Sequence, residues 1–213
     1  MMIAEINTKD RIRQKADELF MRYGLRSVSM DDIANSLGIS KKTIYQFFAD
    51  KNELVDTVLE ETLNDHKQKC DETTKVSQNA VEEIVLSMER IEHMFSNMHP
   101  SVMYDMQKYH PLAFARFLKH KNDYLYNVIS KNLERGIHEE LYRPEIDIDI
   151  MSRYRVESMM MPFNPEFYSR SRHNLGEVER QLIEHYLFGV ASLKGHKLIL
   201  KYQQDRLKKQ HKK

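Results

Sequence analysis

The segment SMDDIANSLGISKKTIYQFFADKNEL, residues 29–54, most constrains how this chain folds. Helix-capping residues stand at three places in it: Ser29 with Asp32, Ser40, and Asp50 with Glu53. A Ser or Asp followed three positions later by a carboxylate is the capping-box pattern of a helix start. Because the starts are so close, only two short helices fit between them, and Gly38 supplies the turn. Two short helices around a glycine turn predict a helix-turn-helix motif.

A longer helix precedes this motif, and another follows it. Apolar residues at helical spacing predict a first helix from about Thr8 to Tyr23, which Gly24 ends. In the third helix, Ile44 and Phe48 stand four residues apart and form the predicted inward stripe. A long fourth helix begins after Asp50 and leads out of the head.

The remainder of the chain also has helical periodicity. We predict helices over residues 79–98, from Pro111 to Gly136 with His110 as the cap, and from Glu177 to about Gln204. The alternating IDIDI, residues 146–150, has no second strand to pair with, so we interpret it as a helix start with Ile146, Ile150 and Met151 inward. A loop from Pro162 to about Leu175 and a solvated basic tail, RLKKQHKK, complete the predictions. The predicted fold class is therefore all-α.

Length and composition suggest two domains and a cytoplasmic protein. At 213 residues, the chain exceeds a usual single domain, and we divide it into a helix-turn-helix domain, residues 1–55, and a larger helical bundle, residues 56–213. No window has the length of apolar sequence that a membrane span needs, and the N-terminus lacks a signal-peptide core. The net charge is only +1, so any contact with nucleic acid must come from a local face.

That face is the third helix. Lys41, Lys42 and Thr43 form its first turn, where the helix N-terminus favours an anion such as phosphate. The alternative is that Tyr45 and Phe47 are core aromatics and the lysines a solvated face.

The segment also resembles the N-terminal DNA-binding domain of the TetR family of bacterial transcriptional regulators. The resemblance rests on the order of features in the segment: Ser29, Asp32-Ile33-Ala34, Gly38, Ser40, Thr43-Ile44-Tyr45, Phe48, Lys51 and Leu54. It implies phosphate contacts by Ser29, Tyr45 and Lys51, and a second helical domain that dimerises and holds an effector pocket. It also implies that Gln46 and Phe47 reach towards bases or sugars, where Gln can read adenine and Phe can touch a thymine methyl group. The chain has Lys42 where the family often has Gly, and Phe47 where it often has His, so the operator sequence does not transfer. The complete predicted DNA-binding set is Ser29, Ser40, Lys41, Lys42, Thr43, Tyr45, Gln46, Phe47 and Lys51.

The sequence offers no catalytic constellation, metal site or cofactor motif. IHEEL around His138 lacks the second histidine of HExxH, no CxxC occurs, and the six glycines form no phosphate-binding loop. Cys70, the only cysteine, has no assigned role. We therefore predict that the protein is not an enzyme and uses no cofactor.

Methionines and aromatic residues concentrate in the second domain, where they are candidates for an effector pocket. The predicted ligand-binding set is Met98, Met103, Tyr104, Met106, Tyr109, Phe117, Tyr126 and Met160. Ordinary helical core is the alternative for each of them.

The last predicted helix contains small residues where a partner helix could approach closely. Gly189, Ser192 and Gly195 are poor helix formers in mid-helix positions, and we predict that they lie in a homodimer interface. A buried contact within the chain is the alternative. Together the predictions describe a homodimeric regulator, most often a repressor in this family, that binds a pseudo-palindromic DNA operator. Its affinity for the operator falls when an unknown small apolar effector binds. A helical carrier protein with a vestigial DNA-binding head is the rival interpretation.

Overall fold

A computed structural model describes residues 2–164 and 174–210. The described residues form helices and contain no β-strand, which confirms the all-α prediction. The helices are α1 (Met2–Tyr23), α2 (Met30–Leu37), α3 (Lys41–Tyr45), α4 (Lys51–Val76), α5 (Ala80–Ser96), α6 (Val102–Tyr109), α7 (Pro111–Lys119), α8 (Tyr126–His138), α9 (Ile148–Ser158), α10 (Leu175–Val190) and α11 (Leu193–Gln210). A π-helix, His120–Leu125, joins α7 to α8, and a short 3-10 helix, Met161–Phe163, follows α9. Most of the predicted loop before Leu175 and the end of the basic tail lie outside the described residues.

The chain forms two compact units. Residues up to Lys67 together with Asn97–His120 make the first, and Gln68–Ser96 with the chain from Lys121 onwards makes the second. Helix α4 therefore contributes residues to both units. The predicted domain boundary after residue 55 falls inside α4, and the assignment of DNA binding and effector binding to separate domains stays a prediction.

The core of the first unit is made by α1 to α4, whose apolar faces meet. Its fully buried side chains include Ile12, Phe20, Ile33, Ile44 and Leu54. Helix α1 begins earlier than predicted, at Met2, and ends at Tyr23, before Gly24, as predicted. Gly24 has a φ of +86°, and a Cβ atom there would lie 2.5 Å from Ser101 Oγ. Both the backbone conformation and the close neighbour therefore require glycine.

The second unit has a separate core, built by α5, α8, α10 and α11 around Tyr142. Residues Val81, Leu133, Leu187 and Ile199 belong to this cluster. The buried Tyr142 hydroxyl lies 3.1 Å from the carbonyl oxygen of Ala80 and 3.0 Å from Asn132 Oδ1. Gly136 makes room for the tyrosine ring, since a Cβ atom on it would lie 2.0 Å from a ring carbon.

Two predicted details of the helix starts are wrong. His110 precedes α7, with Pro111 in the first turn as predicted, but its side chain makes no capping bond. Its Nδ1 atom instead lies 2.7 Å from Asn52 Oδ1. The IDIDI segment does begin a helix, capped by Asp147, and yet Ile150 is 62% exposed. Because the helix starts at Ile148 rather than earlier, Ile148 packs against the core in place of Ile150.

The predicted long C-terminal helix is in fact two helices, α10 and α11, separated at Ala191 and Ser192. Ala191 has a ψ of 141°, which is extended backbone. The break is held by the segment that contains Tyr142: Arg143 N donates to Val190 O, and Ser192 N to Leu141 O, both at 2.9 Å. Backbone hydrogen bonds from outside the helix thus replace those that the break removes, so the small residues do not stand in mid-helix as predicted.

No described helix combines the length and the apolarity that crossing a membrane requires.

We expect acid to destabilise the first unit through His120. Its Nε2 atom lies 3.2 Å from His66 Nδ1, and burial, with His66 and Lys67 nearby, lowers the pKa of His120 to about 4. The unfolded chain takes up this proton near pH 6.5, so stability falls as the pH drops from about 6.5 towards 4. Between pH 7.5 and 5 the loss is roughly 2 kcal/mol, or about 4–8 °C in melting temperature.

Thermal melts of the wild type, His120→Gln and His138→Gln at both pH values test this expectation. His138 is exposed and serves as the control. The His120→Gln variant should lose much of the acid sensitivity, while His138→Gln should retain it. Equal acid sensitivity in all three proteins would show that another group is responsible.

Candidate nucleic-acid interface

The turn between α2 and α3 sets the position of the third helix. Gly38 has a left-handed φ of +65°, and its backbone N–H bonds to the carbonyl oxygen of Asn35 at 3.2 Å. Ile39 N bonds to Ala34 O at 3.1 Å. A Cβ atom at Gly38 would meet nothing within 4 Å, so glycine is needed there for the backbone conformation alone.

Two hydroxyl groups mark the start of α3. Ser40 Oγ accepts a hydrogen bond from Thr43 N at 3.1 Å, as the capping prediction requires. The Ser40 and Thr43 hydroxyls lie 2.8 Å apart, so both are at the N-terminal end of the helix. This end has the unpaired N–H groups and partial positive charge that favour a phosphate oxygen.

The side chains of α3 divide between a buried and an exposed face. Ile44 and Phe48 are buried, as predicted. Tyr45 is 45% exposed, so the alternative that it is a core aromatic is wrong. Phe47 is half-buried. From Lys41 onwards, the exposed side chains of the predicted set are Lys41, Lys42, Tyr45 and Gln46. Cations, an amide and an aromatic hydroxyl therefore share one solvent-facing surface, which we name the α3 face.

Ser29 is engaged in the predicted capping box at the start of α2. Its hydroxyl donates to an Asp32 carboxylate oxygen at 2.6 Å and accepts from Asp32 N at 3.2 Å, and its own N–H donates to Asp32 at 2.7 Å. These hydrogen bonds from Ser29 lower the pKa of Asp32. The capping function of Ser29 is therefore confirmed, while its phosphate contact stays a prediction.

The three predicted lysines are in different environments. Lys41 Nζ forms an exposed ion pair with Asp31 at 2.7 Å. Lys51 Nζ donates to the carbonyl oxygen of Leu25 and lies 5.8 Å from the centre of the Phe20 ring. Partial burial lowers the pKa of Lys51. Lys42 is exposed and, within the part of the chain that the structure describes, forms no ion pair.

Sequence reasoning missed a carboxylate that supports the α1–α2 turn. Asp105 in α6 is buried, and one of its oxygens accepts a hydrogen bond from Arg26 N at 3.1 Å. The hydroxyl of Ser101 lies 3.0 Å from the same oxygen. The contact joins residues 79 positions apart, which no local pattern reports.

The predicted effector-binding residues are divided between the two units. Met98, Met103, Tyr104, Met106, Tyr109 and Phe117 belong to the first unit, and Tyr126 and Met160 to the second. Met103 and Met106 are buried, but Tyr104 is 56% exposed with its hydroxyl 3.1 Å from Lys108 Nζ. An apolar recess in the second unit is lined by other residues, among them Val85, Met88, Leu187, Ile199 and Tyr202.

The predicted interface residues have different surroundings. A Cβ atom on Gly195 would lie 2.0 Å from the carbonyl oxygen of Leu141, so this glycine allows a close approach within the chain. The Ser192 hydroxyl donates to the carbonyl oxygen of Glu140 at 2.7 Å. Gly189, in contrast, has nothing within 4 Å of a Cβ position. Contacts within the chain, the alternative to a dimer interface, therefore explain the small side chains at Ser192 and Gly195. Of the three predicted interface residues, only Gly189 lies beside open space.

A capped recognition helix with a polar and cationic outer face, placed by a glycine turn, defines a helix-turn-helix DNA-binding protein. Residues 12–58 match the family model for bacterial regulatory proteins of the tetR family. The chain is 26% identical to the HTH-type transcriptional repressor KstR2 of Mycolicibacterium smegmatis over 152 residues, which cover 68% of this chain and 73% of the relative. The chain therefore has the DNA-binding domain of the TetR family, and it is a transcriptional regulator, as predicted.

Solved structures share the fold over most of the chain. A TetR-family regulator from Agrobacterium tumefaciens has a TM-score of 0.70 at 16% identity, covering 88% of this chain and all of that one. The structure described as the ketosteroid transcriptional regulator KstR2 of Mycobacterium tuberculosis has a TM-score of 0.59 at 22% identity, covering 87% of this chain and 95% of that one. The relatives are regulators rather than enzymes, which confirms the prediction of a non-enzymatic protein.

Proposed function

We propose that the protein is a homodimeric repressor that binds a pseudo-palindromic DNA operator and releases it when a small apolar effector binds. The α3 face supports this proposal most directly, because its exposed lysine and amide side chains follow a capped helix N-terminus. Two such helices related by a two-fold axis would meet two half-sites about 34–36 Å apart.

In the α3 face and directly beside it, we assign phosphate contacts to Lys42, Tyr45 and the hydroxyls of Ser40 and Thr43. Gln46 and Phe47 are the candidates for base or sugar contacts. Lys41 reaches a phosphate only after it exchanges its carboxylate partner, Asp31. Lys51 Nζ bonds to the carbonyl oxygen of Leu25, so we assign Lys51 to the support of the α1–α2 turn. It would contact a phosphate from that same position.

We expect Lys42→Ala to weaken operator binding at all sequences and to lower the salt slope of log affinity by about one unit, because one phosphate contact is lost. Lys41→Ala should lower the slope similarly. Asp31→Asn should instead raise affinity, since it releases Lys41 from its ion pair. The operator is first selected from random duplex DNA, and each variant is then titrated at several salt concentrations.

Lys75→Ala is the matched control, because Lys75 is an exposed lysine on α4 in the second unit. It should leave both affinity and slope unchanged. Equal slopes for wild type and both α3 variants would remove these lysines from the phosphate contacts. If no duplex is enriched from the random pool, the carrier interpretation replaces the repressor.

A stripe of exposed leucines on α11 supports the homodimer. Leu193, Leu200 and Leu207 are 87%, 43% and 52% exposed, and they follow one another at intervals of seven residues. Seven residues are nearly two helical turns, so the three side chains lie on one side of the helix. We name this surface the α11 leucine stripe. A second copy of the chain, which presents the same stripe across a two-fold axis, is the occupant that we propose.

The proposed effector is a small apolar molecule. The KstR2 structure is described as that of a ketosteroid regulator, and a ketosteroid is an apolar molecule. We extend to this chain only the general class of a small apolar effector. Because the identity to that structure is only 22%, we infer the residues that recognise the effector from this chain alone.

A further inference from the structure

A cluster of polar side chains is buried between α9 and α10 in the second unit. Arg155 and Ser158 are each 4% exposed, and Glu179 is fully buried. Arg155 Nη2 donates to Glu179 Oε1 at 2.6 Å, and Nη1 donates to Ser158 Oγ at 3.0 Å. These two bonds therefore satisfy one carboxylate oxygen of Glu179 and both terminal nitrogens of the guanidinium group.

Three further polar atoms of this region have no hydrogen-bond partner among the described residues. They are Glu179 Oε2, Ser152 Oγ and the Tyr186 hydroxyl, on side chains that are 0%, 0% and 3% exposed. An unsatisfied buried polar atom costs about 1–3 kcal/mol, and a whole domain is stable by only about 5–15 kcal/mol. Such a concentration of unpaired groups indicates that something outside the described residues completes their hydrogen bonds.

These three atoms belong to one strip of the α9–α10 boundary. Ser152 is one turn from Arg155 on α9, and Tyr186 is two turns from Glu179 on α10. The Tyr186 ring stacks on that of Tyr154, with 6.3 Å between centres, while Arg155 pairs with Glu179. Adjacent residues of α9, Tyr154 and Arg155, thus contact α10 two turns apart, at Tyr186 and Glu179, and Ser152 lies one turn before Arg155 on the same helix.

The chemistry of the strip selects its occupant. Arg155 and Glu179 balance each other in charge, so a charged ligand would be buried without a counter-charge. The Glu179 oxygen accepts a hydrogen bond, and the two hydroxyls both donate and accept. A hydroxyl group on a ligand can do either of these: it can donate, as Glu179 requires, and it can accept from a hydroxyl such as that of Tyr186 or Ser152. Neighbouring Val156 and Ile183 are buried and apolar, and suit a hydrocarbon body.

We propose that this strip is the effector site and that it binds an uncharged, mainly apolar molecule through a hydroxyl group. The inference rests on the proposed function and specifies its effector. Burial raises the pKa of Glu179, with Arg155 opposing, and this agrees with a site that disfavours additional negative charge.

Matched probes with and without the hydroxyl group test the proposal on the full chain. Octanol, cyclohexanol and naphthol are compared with their methyl ethers, and octanol also with octanoate. The alcohols are expected to raise the melting temperature and to lower operator affinity at least about five-fold, the lower end of usual allosteric coupling. The ethers and octanoate should do neither.

Two variants locate the response. Tyr186→Phe and Ser152→Ala each remove an unpaired hydroxyl, so both should fold at least as well as the wild type and weaken alcohol binding about tenfold. Tyr154→Phe is the control, because its ring stacks on Tyr186 but its side chain is 46% exposed. It should keep the wild-type response.

Each outcome decides the question. A hydroxyl-dependent shift that both variants weaken supports the site. No shift with any alcohol, or a shift that both variants retain, overturns it, and the strip is then a place for ordered water only. Wild-type operator binding without probe is measured in parallel. Its absence, beside a hydroxyl-dependent melting shift, would contradict the repressor but not the ligand site.

Discussion

Leu200→Glu combined with Leu207→Glu is expected to make the protein monomeric and to lower operator affinity by about 100-fold or more. Both substitutions place carboxylates in the α11 leucine stripe, where two-fold symmetry would set like charges against each other. A monomer contacts one half-site and loses the avidity of two linked contacts, which is worth about 10²–10⁴. Sedimentation velocity measures the oligomeric state, and titration with full and half operators measures the loss.

The control for this variant is Lys201→Glu combined with Lys208→Glu. These lysines are exposed on the same helix at the same seven-residue interval, but each is one position beyond a stripe leucine and so is turned about 100° from it. The control should remain dimeric. A dimer in both variants would place the interface elsewhere, and Gly189, which has nothing within 4 Å of its Cβ position, would be the next position to substitute.

The DNA-binding head could be predicted in detail because its information is local. Capping residues, a glycine turn and a helical apolar stripe act over three or four positions, and the structure has the Ser29 box, the Gly38 turn and the inward Ile44 where these patterns put them. The outward direction of Tyr45 followed from the same spacing. The environment of Lys51 did not, because its partner Leu25 is 26 positions away.

The second unit was less predictable because distant contacts determine it. A helical pattern of apolar residues runs through residues 177–204, but backbone hydrogen bonds with Leu141 and Arg143 separate α10 from α11. The same applies to the buried polar strip. Arg155 and Ser152 stand among polar residues that look like a solvated helix face, and only packing against α10 shows that they are inside. Hydrophobic periodicity cannot report a buried polar residue, because such residues violate the pattern that it measures.

Arg155→Met is expected to lower the free energy of unfolding by about 3–5 kcal/mol, because it leaves the Glu179 carboxylate buried without its counter-charge. Arg155→Met combined with Glu179→Leu should recover most of that loss, since it replaces both charges with apolar side chains of similar size. Urea denaturation measures each free energy, and the two single variants with the double variant form a thermodynamic cycle.

The exposed pair on the same helix provides the control for this cycle. Arg153 Nε lies 3.0 Å from Asp149 Oδ2, with side chains 68% and 55% exposed, so Arg153→Met should leave the free energy of unfolding nearly unchanged. Recovery in the double variant would mean that the buried pair is not required for folding, which frees it to act in ligand recognition. A double variant as unstable as Arg155→Met would instead show that Arg155 stabilises the unit through its packing and its bond to Ser158, and the charge argument for this pair would be wrong.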